Sequence, residues 1–145
     1  MTVDRETMVG VLKNVAVPAL RKQGFKGSFP SFFRETGKFV ALINFQFHSS
    51  GGSFCVNLGY ADPGRNNVYF QPDTEPAKLK ISQTRHQVRL GATDGGDHWF
   101  HFGATSYGEI RGEPVPAEEI AARFNEMLIT DAERWWKRQQ DANSP

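Results

Sequence analysis

Over the first two dozen residues the apolar positions recur at helical spacing. Met8, Val11, Leu12, Val15, Ala19 and Leu20 fall on one face, which predicts an amphipathic helix with one buried side. Asp4 and Glu6 suit the positive end of its dipole, and Arg21 and Lys22 suit the negative end. Gly24 stands where the residue just past a helix end adopts a left-handed conformation. Pro18 interrupts the pattern, because it lacks a backbone N–H and crowds the turn before it. A kink or break is expected near Val17, with Pro18 starting a short second turn.

From Phe25 the period changes to two. Strands are predicted over 31–35, 39–48 and 53–60, joined by turns at Thr36-Gly37-Lys38 and Ser49-Ser50-Gly51-Gly52. Residues 61–80, rich in Pro, Asn, Asp and Gly, read as a long loop that holds a short edge strand at Val68-Tyr69-Phe70. Two further strands are predicted over 85–90 and 98–102, separated by a turn at Asp94-Gly95-Gly96. Helix returns at Pro116, with Glu118 and Glu119 in its first turn and Ile120, Phe124, Met127 and Leu128 on one face. Thr130-Asp131-Ala132-Glu133 has capping-box spacing and predicts a new helix from there to about Gln140. Trp135 and Trp136 border its apolar stripe with Leu128 and Ala132, and read as core.

The resulting fold class is α+β. An antiparallel sheet of about five strands in meander order carries N-terminal and C-terminal helices packed on one face. The chain is read as a single domain over 1–145. Composition sharpens this: 12 phenylalanines against 3 tyrosines and 3 tryptophans describe a large aromatic core without polar tips. A net charge of +1 argues against a nucleic-acid partner or a membrane surface. Cys55 is the one cysteine, which excludes an internal disulfide and any multi-cysteine zinc site. The N-terminus is acidic where a signal peptide is basic, and no apolar run reaches the roughly 18 residues a membrane-crossing helix needs. The expected setting is the cytoplasm.

Candidate chemistry enters through the strands. In Asp97-His98-Trp99-Phe100-His101-Phe102-Gly103 the two histidines point to opposite faces of a strand, so they cannot chelate one metal, and no metal site is expected. The glycine pairs lack the surroundings of a phosphate-binding loop, no cofactor motif is present, and no catalytic signature appears. Folding the 39–60 hairpin about its turn sets residue 48 opposite 53, 46 opposite 55 and 44 opposite 57. One face then collects Ile43, Phe45, Phe47, Phe54, Val56 and Leu58, which is core. The other collects Asn44, Gln46, His48, Ser53, Cys55 and Asn57. Asparagine is depleted in strands, so Asn44 opposite Asn57 asks for a reason. One is a solvated face with amides bonded across the strands; the other is a recognition surface. Cys55 near His48 would suit a thiol nucleophile if the two touch. A second, basic candidate is Arg85, Gln87 and Arg89 on one strand face, with Lys78 and Lys80 upstream. It would receive an anion or be a solvated face paired with nearby acids.

Several short stretches then come together: Gly24-Phe25 after the helix, Phe33-Arg34-Glu35, Ile43-Asn44-Phe45-Gln46, Asn57-Leu58-Gly59, Arg89-Leu90-Gly91 and Trp99. In that order they resemble domain of unknown function family 4304, while 61–80 and the tail have no matched counterpart. The resemblance implies the fold and a bacterial setting but no activity. In size and domain style the chain is similar to small cytosolic immunity or accessory partners of bacterial toxins. The function expected from all this is a non-enzymatic module that binds another protein. It would use Asn44, Gln46, His48 and Asn57, with Cys55 in the same surface and Arg85 and Arg89 beside it. The alternative is a small-molecule-binding or hydrolytic protein with a pocket under 61–80, lined by Tyr69, Phe70 and the 85–89 edge. His48 or His86 would then move a proton. A third use of the same face is homodimerisation.

Overall fold

Asp4 caps the first helix, its Oδ1 accepting from the Thr7 amide at 2.8 Å. The computed structural model describes residues 4–61, 75–84, 86–92 and 96–143. Helix α1 (Arg5–Val11) passes into a π-helical turn over Leu12–Ala16 and then into α2 (Val17–Lys22), with Pro18 in the first turn of α2. The wider turn re-registers the backbone just ahead of the proline, so the expected break becomes a continuous, re-wound helix. Asn125 donates to the Val15 carbonyl inside this turn at 3.2 Å. Gly24 ends α2 at φ 89°, as its position predicts.

The strands are β1 (Lys26–Ser28), β2 (Ser31–Glu35), β3 (Val40–Phe47), β4 (Ser53–Ala61), β5 (His86–Arg89) and β6 (Phe100–His101). All pair antiparallel, in the order β1-β2-β3-β4-β5, and β6 pairs the start of β4 on the same side as β5. The strands expected at 31–35, 39–48, 53–60, 85–90 and 98–102 correspond to β2 through β6; β1 is additional. Arg85 and the Val68-Tyr69-Phe70 strand lie outside the described residues. At the end of the region read as loop, 61–80, and just past it, residues 75–84 form single 3₁₀ turns at Pro76–Lys78 and Ile81–Gln83.

Helices α3 (Ala117–Met127) and α4 (Glu133–Asn143) complete the layer. The cap expected at Thr130 is not made. A π-helical turn over Leu128–Ala132 carries α3 straight into α4, and the Thr130 hydroxyl donates back to the Glu126 carbonyl at 2.9 Å. Leu128, Ala132 and Trp136 are each wholly buried, and a helical break would have split this stripe. Glu133 instead meets Arg34 of β2 in a two-pronged ion pair at 2.6 and 2.7 Å. The Arg34 guanidinium stacks over the rings of Phe25 and Trp136.

The helices cover one face of the sheet. There Ile43, Phe45, Phe54, Val56 and Leu58 join Phe124, Leu128 and Trp136 in one aromatic-rich core. Trp136 is buried completely and its indole donates to the Gly59 carbonyl at 2.9 Å, while Trp135 packs at the margin. No helix among the described residues is long and apolar enough to cross a membrane.

Candidate functional site

The face away from the helices is organised in rows of directly opposed residues. The β3–β4 register sets Asn44 against Asn57 and Gln46 against Cys55, as the hairpin predicts. The neighbouring registers extend the first row outward, with Ser31 opposite Asn44 and Arg89 opposite Asn57. One polar residue from each of β2, β3, β4 and β5 therefore stands in line across the sheet. The next row is Phe33, Leu42, Gly59 and Gln87, and beyond it come Val40 and Ala61. Polarity gives way to apolar surface within two rows.

The apolar end is covered. Leu79 and Ile81 pack on Phe33, Val40, Leu42 and Ala61, making a second, smaller core. Gly59 allows the close approach: a Cβ there would stand 3.1 Å from Ile81 Cδ1 and 3.2 Å from Thr84 Oγ1. The covering segment ends where the polar row begins, and its edge forms the wall of a cleft of about 440 Å³. Asn44, Gln46, Asn57 and Arg89 form the floor, with Lys80, Ser82 and Gln87 around it. The two sequence candidates, the amide face and the basic strand, thus meet in one place.

Hydrogen bonds run the length of the row. Arg89 Nε donates to Asn57 Oδ1 at 3.3 Å, Asn57 Nδ2 donates to Asn44 Oδ1 at 3.4 Å, and Asn44 Nδ2 donates to Ser31 Oγ at 3.0 Å. Asn57 Nδ2 also donates to Gln46 Oε1 at 3.0 Å. Arg89 is held from the other side by Asp97, which accepts from its guanidinium at 2.5 Å and from the Trp99 indole at 2.9 Å. The Trp99 and Arg89 bonds hold the Asp97 carboxyl below the usual carboxylate range, and the guanidinium lies over the Trp99 ring.

Cys55 belongs to this face by register but is wholly buried, its sulfur 3.9 Å from Gln46 Oε1 and 4.0 Å from Asn57 Oδ1. Burial pushes the thiol pKa up, which disfavours the thiolate. Its polar neighbours are amide oxygens, and His48 is engaged elsewhere. The His48 Nδ1 accepts from the Ser50 amide at 3.1 Å, its ring meets Trp99 edge-on, and Arg111 lies 3.1 Å from Nε2. Because Arg111 only donates, these two contacts compete for one imidazole tautomer. His48 therefore lines a separate hollow of about 510 Å³ with Trp99, His101 and Arg111. There Ser53 Oγ and His101 Nδ1 are 2.8 Å apart, but the serine is only 2 % exposed, so the pair satisfies a buried hydroxyl.

In the Asp97–Gly103 stretch the two histidines do part, His98 packing edge-on against Phe100 on the helix side and His101 turning to Ser53. No group of metal-ligating residues occurs among the described residues. Burial lowers the pKa of both histidines, with a further contribution at His98 from His101. Of the site residues expected from the sequence, Asn44, Gln46, Cys55, Asn57 and Arg89 come together, His48 stands apart, and Arg85 is not described. Ser31 and Asp97 escaped sequence reasoning, because only the long-range pairing of β2 with β3 and the return of 97–99 over β5 bring them in.

No curated protein and no solved structure matches the chain. A family model described as Domain of unknown function (DUF4304) matches residues 16–144. The match starts within the N-terminal helix and runs through 61–80 and nearly all the tail, which the short sequence motifs left unmatched. The chain belongs to domain of unknown function family 4304.

Proposed function

We propose that this protein is a non-enzymatic recognition module that engages another protein through the cleft on its open sheet face. The observation that carries the reading is the cross-strand row of Ser31, Asn44, Asn57 and Arg89, bonded end to end on a surface open to solvent. A face that only had to stay soluble is more usually filled by Thr, Lys or Glu than by Asn, which strands disfavour more strongly. A bonded amide row holds its side chains in fixed orientations, which suits recognition. The described lining of the cleft carries no histidine or carboxylate to move a proton, and its one thiol neighbour is buried, which favours recognition over hydrolysis.

A Gln46→Arg, Asn57→Arg double variant, shown to be folded by circular dichroism, tests this reading. A protein retained from lysate and then purified is expected to bind wild type and to lose most of its affinity for the variant in calorimetry. Undiminished affinity would remove the cleft from the interface, and self-association of wild type alone would point to a homodimer. The small-molecule reading keeps one observation in its favour: the cleft is concave and walled by Leu79, Lys80 and Ile81 at the end of the 61–80 segment. A bacterial cytoplasmic setting forms part of the proposal, and a single buried cysteine, Cys55, is compatible with it.

A further inference from the structure

The amide orientations in the cleft follow from one another. Arg89 can only donate, so the Asn57 atom 3.3 Å from its Nε is the carbonyl oxygen. That choice turns the Asn57 nitrogen toward Asn44 and Gln46, which must present oxygens in return. Asn44 then has its nitrogen on Ser31 Oγ. Donation runs in one direction, from Arg89 through Asn57 and Asn44 to Ser31, and bonds aligned in this way strengthen one another.

The consequence is a surplus of hydrogens. Every amide oxygen of Asn44 and Asn57, and that of Gln46 beside the row, accepts a bond from a row residue. Gln46 Nε2, one N–H of Asn44 and the Ser31 hydroxyl hydrogen have no acceptor among the described residues. Lys80, on the wall, makes no ion pair among the described residues, and none of the described lining residues is acidic. Next to these donors the wall turns apolar at Leu42, Leu79 and Ile81.

We infer that the cleft takes an extended segment of the partner protein in which an Asp or Glu side chain lies beside an apolar one. The carboxylate meets Gln46, Ser31 and Lys80, and the apolar neighbour rests on Leu79 and Ile81. A carboxylate accepts several bonds and donates none, so it is the side chain that matches a wall of donors. This inference rests on the recognition reading above and narrows it.

Panning a phage-displayed library of random dodecapeptides on the full chain tests it. Enriched sequences are expected to carry Asp or Glu next to an apolar residue. A synthetic peptide from that pool is expected to shift the Gln46 side-chain amide resonances. Its affinity should fall roughly tenfold or more, the loss of a charge-assisted bond, when its acid is changed to the amide or when Lys80→Gln is the target. Lys80 is exposed, so that variant keeps the fold. Neutral or basic peptides that shift the same resonances would overturn the acidic assignment and leave protein recognition standing. Shifts with glutarate but no enriched peptide would overturn the protein partner and make the cleft a small-carboxylate site. Silence from both probes would sink the inference together with the reading beneath it.

Discussion

On the helix-covered side of β3 and β4, Ile43, Phe45, Phe54, Val56 and Leu58 are all 2 % exposed or less. On the opposite side of the same strands Asn44 and Asn57 remain partly open and Gln46 is exposed. The first face is specified by volume and by removal from water, at roughly 1.5–3 kcal/mol for each large side chain. The second is specified by connectivity, through bonds whose net worth is about 1 kcal/mol each because water can replace them. Two faces of one sheet therefore answer to different tests. Damage to the helix face should appear as lost stability, and damage to the open face should appear mainly as lost binding.

The largest effect is expected at Trp136. Truncation to Ala removes a wholly buried ring, its contact with Phe25 at 5.4 Å and the bond to the Gly59 carbonyl. A loss of about 3–5 kcal/mol is expected from the urea midpoint. A loss under about 1 kcal/mol would break the comparison at its strong end. Glu133→Gln should come next, at about 1–3 kcal/mol, because Arg34 is left partly buried with a weakened partner and an Nε that is already unsatisfied. Replacing both residues, as Arg34→Met with Glu133→Leu, should recover part of that loss. A double variant as unstable as the sum of its parts would deny the coupling.

What could be read from the chain beforehand follows the same division. The hairpin register was readable because a four-residue Ser-Ser-Gly-Gly turn sits between strands of strict alternation, and a slip of one would have put Phe45 in water. Asn44 opposite Asn57 followed directly. The same alternation places Val40 and Leu42 on the open face, where apolar side chains need a cover. Their cover comes from Leu79, just after one single turn, and Ile81, at the start of the next, a stretch that carries no periodic pattern. β1 was hidden for a related reason: Lys26–Ser28 is exposed throughout and has no buried face to alternate. The capping-box reading failed at Thr130 because a threonine hydroxyl bonds equally well to the carbonyl one turn back, and only the buried Leu128–Ala132–Trp136 stripe decides between the two. The Arg34–Glu133 pair has no local pattern at all.

Acid should act on the region between the two faces. Burial lowers the pKa of His98 and His101 below the ordinary histidine value of about 6.5. Unfolding then takes up protons in the interval between the two values, so their contribution to stability is present above pH 6.5 or so and is lost as pH falls below it. The midpoint of thermal unfolding is expected to drop from pH 7.5 to pH 5.5, by less than the Glu133→Gln change. A His98→Leu, His101→Asn double variant should show a shallower drop. An unchanged slope in that variant would remove the histidines as its source.

The smallest stability effect is expected at Gln46, the residue the proposal sets against the partner's carboxylate. Gln46 is exposed, and its Oε1 accepts from Asn57 Nδ2, a donor that also reaches Asn44. Truncation to Ala leaves Asn57 with one partner in place and water at the other, so the change should stay within about 0.5 kcal/mol. Asn57→Ala should cost more, because Arg89 and Asn44 both lose a partner, and it should not add simply to Asn44→Ala. A coupling of about 0.5 kcal/mol between these two is expected in a double-mutant cycle, since they share one bond of the row. No coupling would mean that the row is a set of independent solvated side chains with no fixed orientation to offer a partner. With coupling present and Gln46→Ala neutral in stability, the stiffness of the row would lie in its amides, while the donor proposed to meet the partner would lie beside it in a residue the fold does not need.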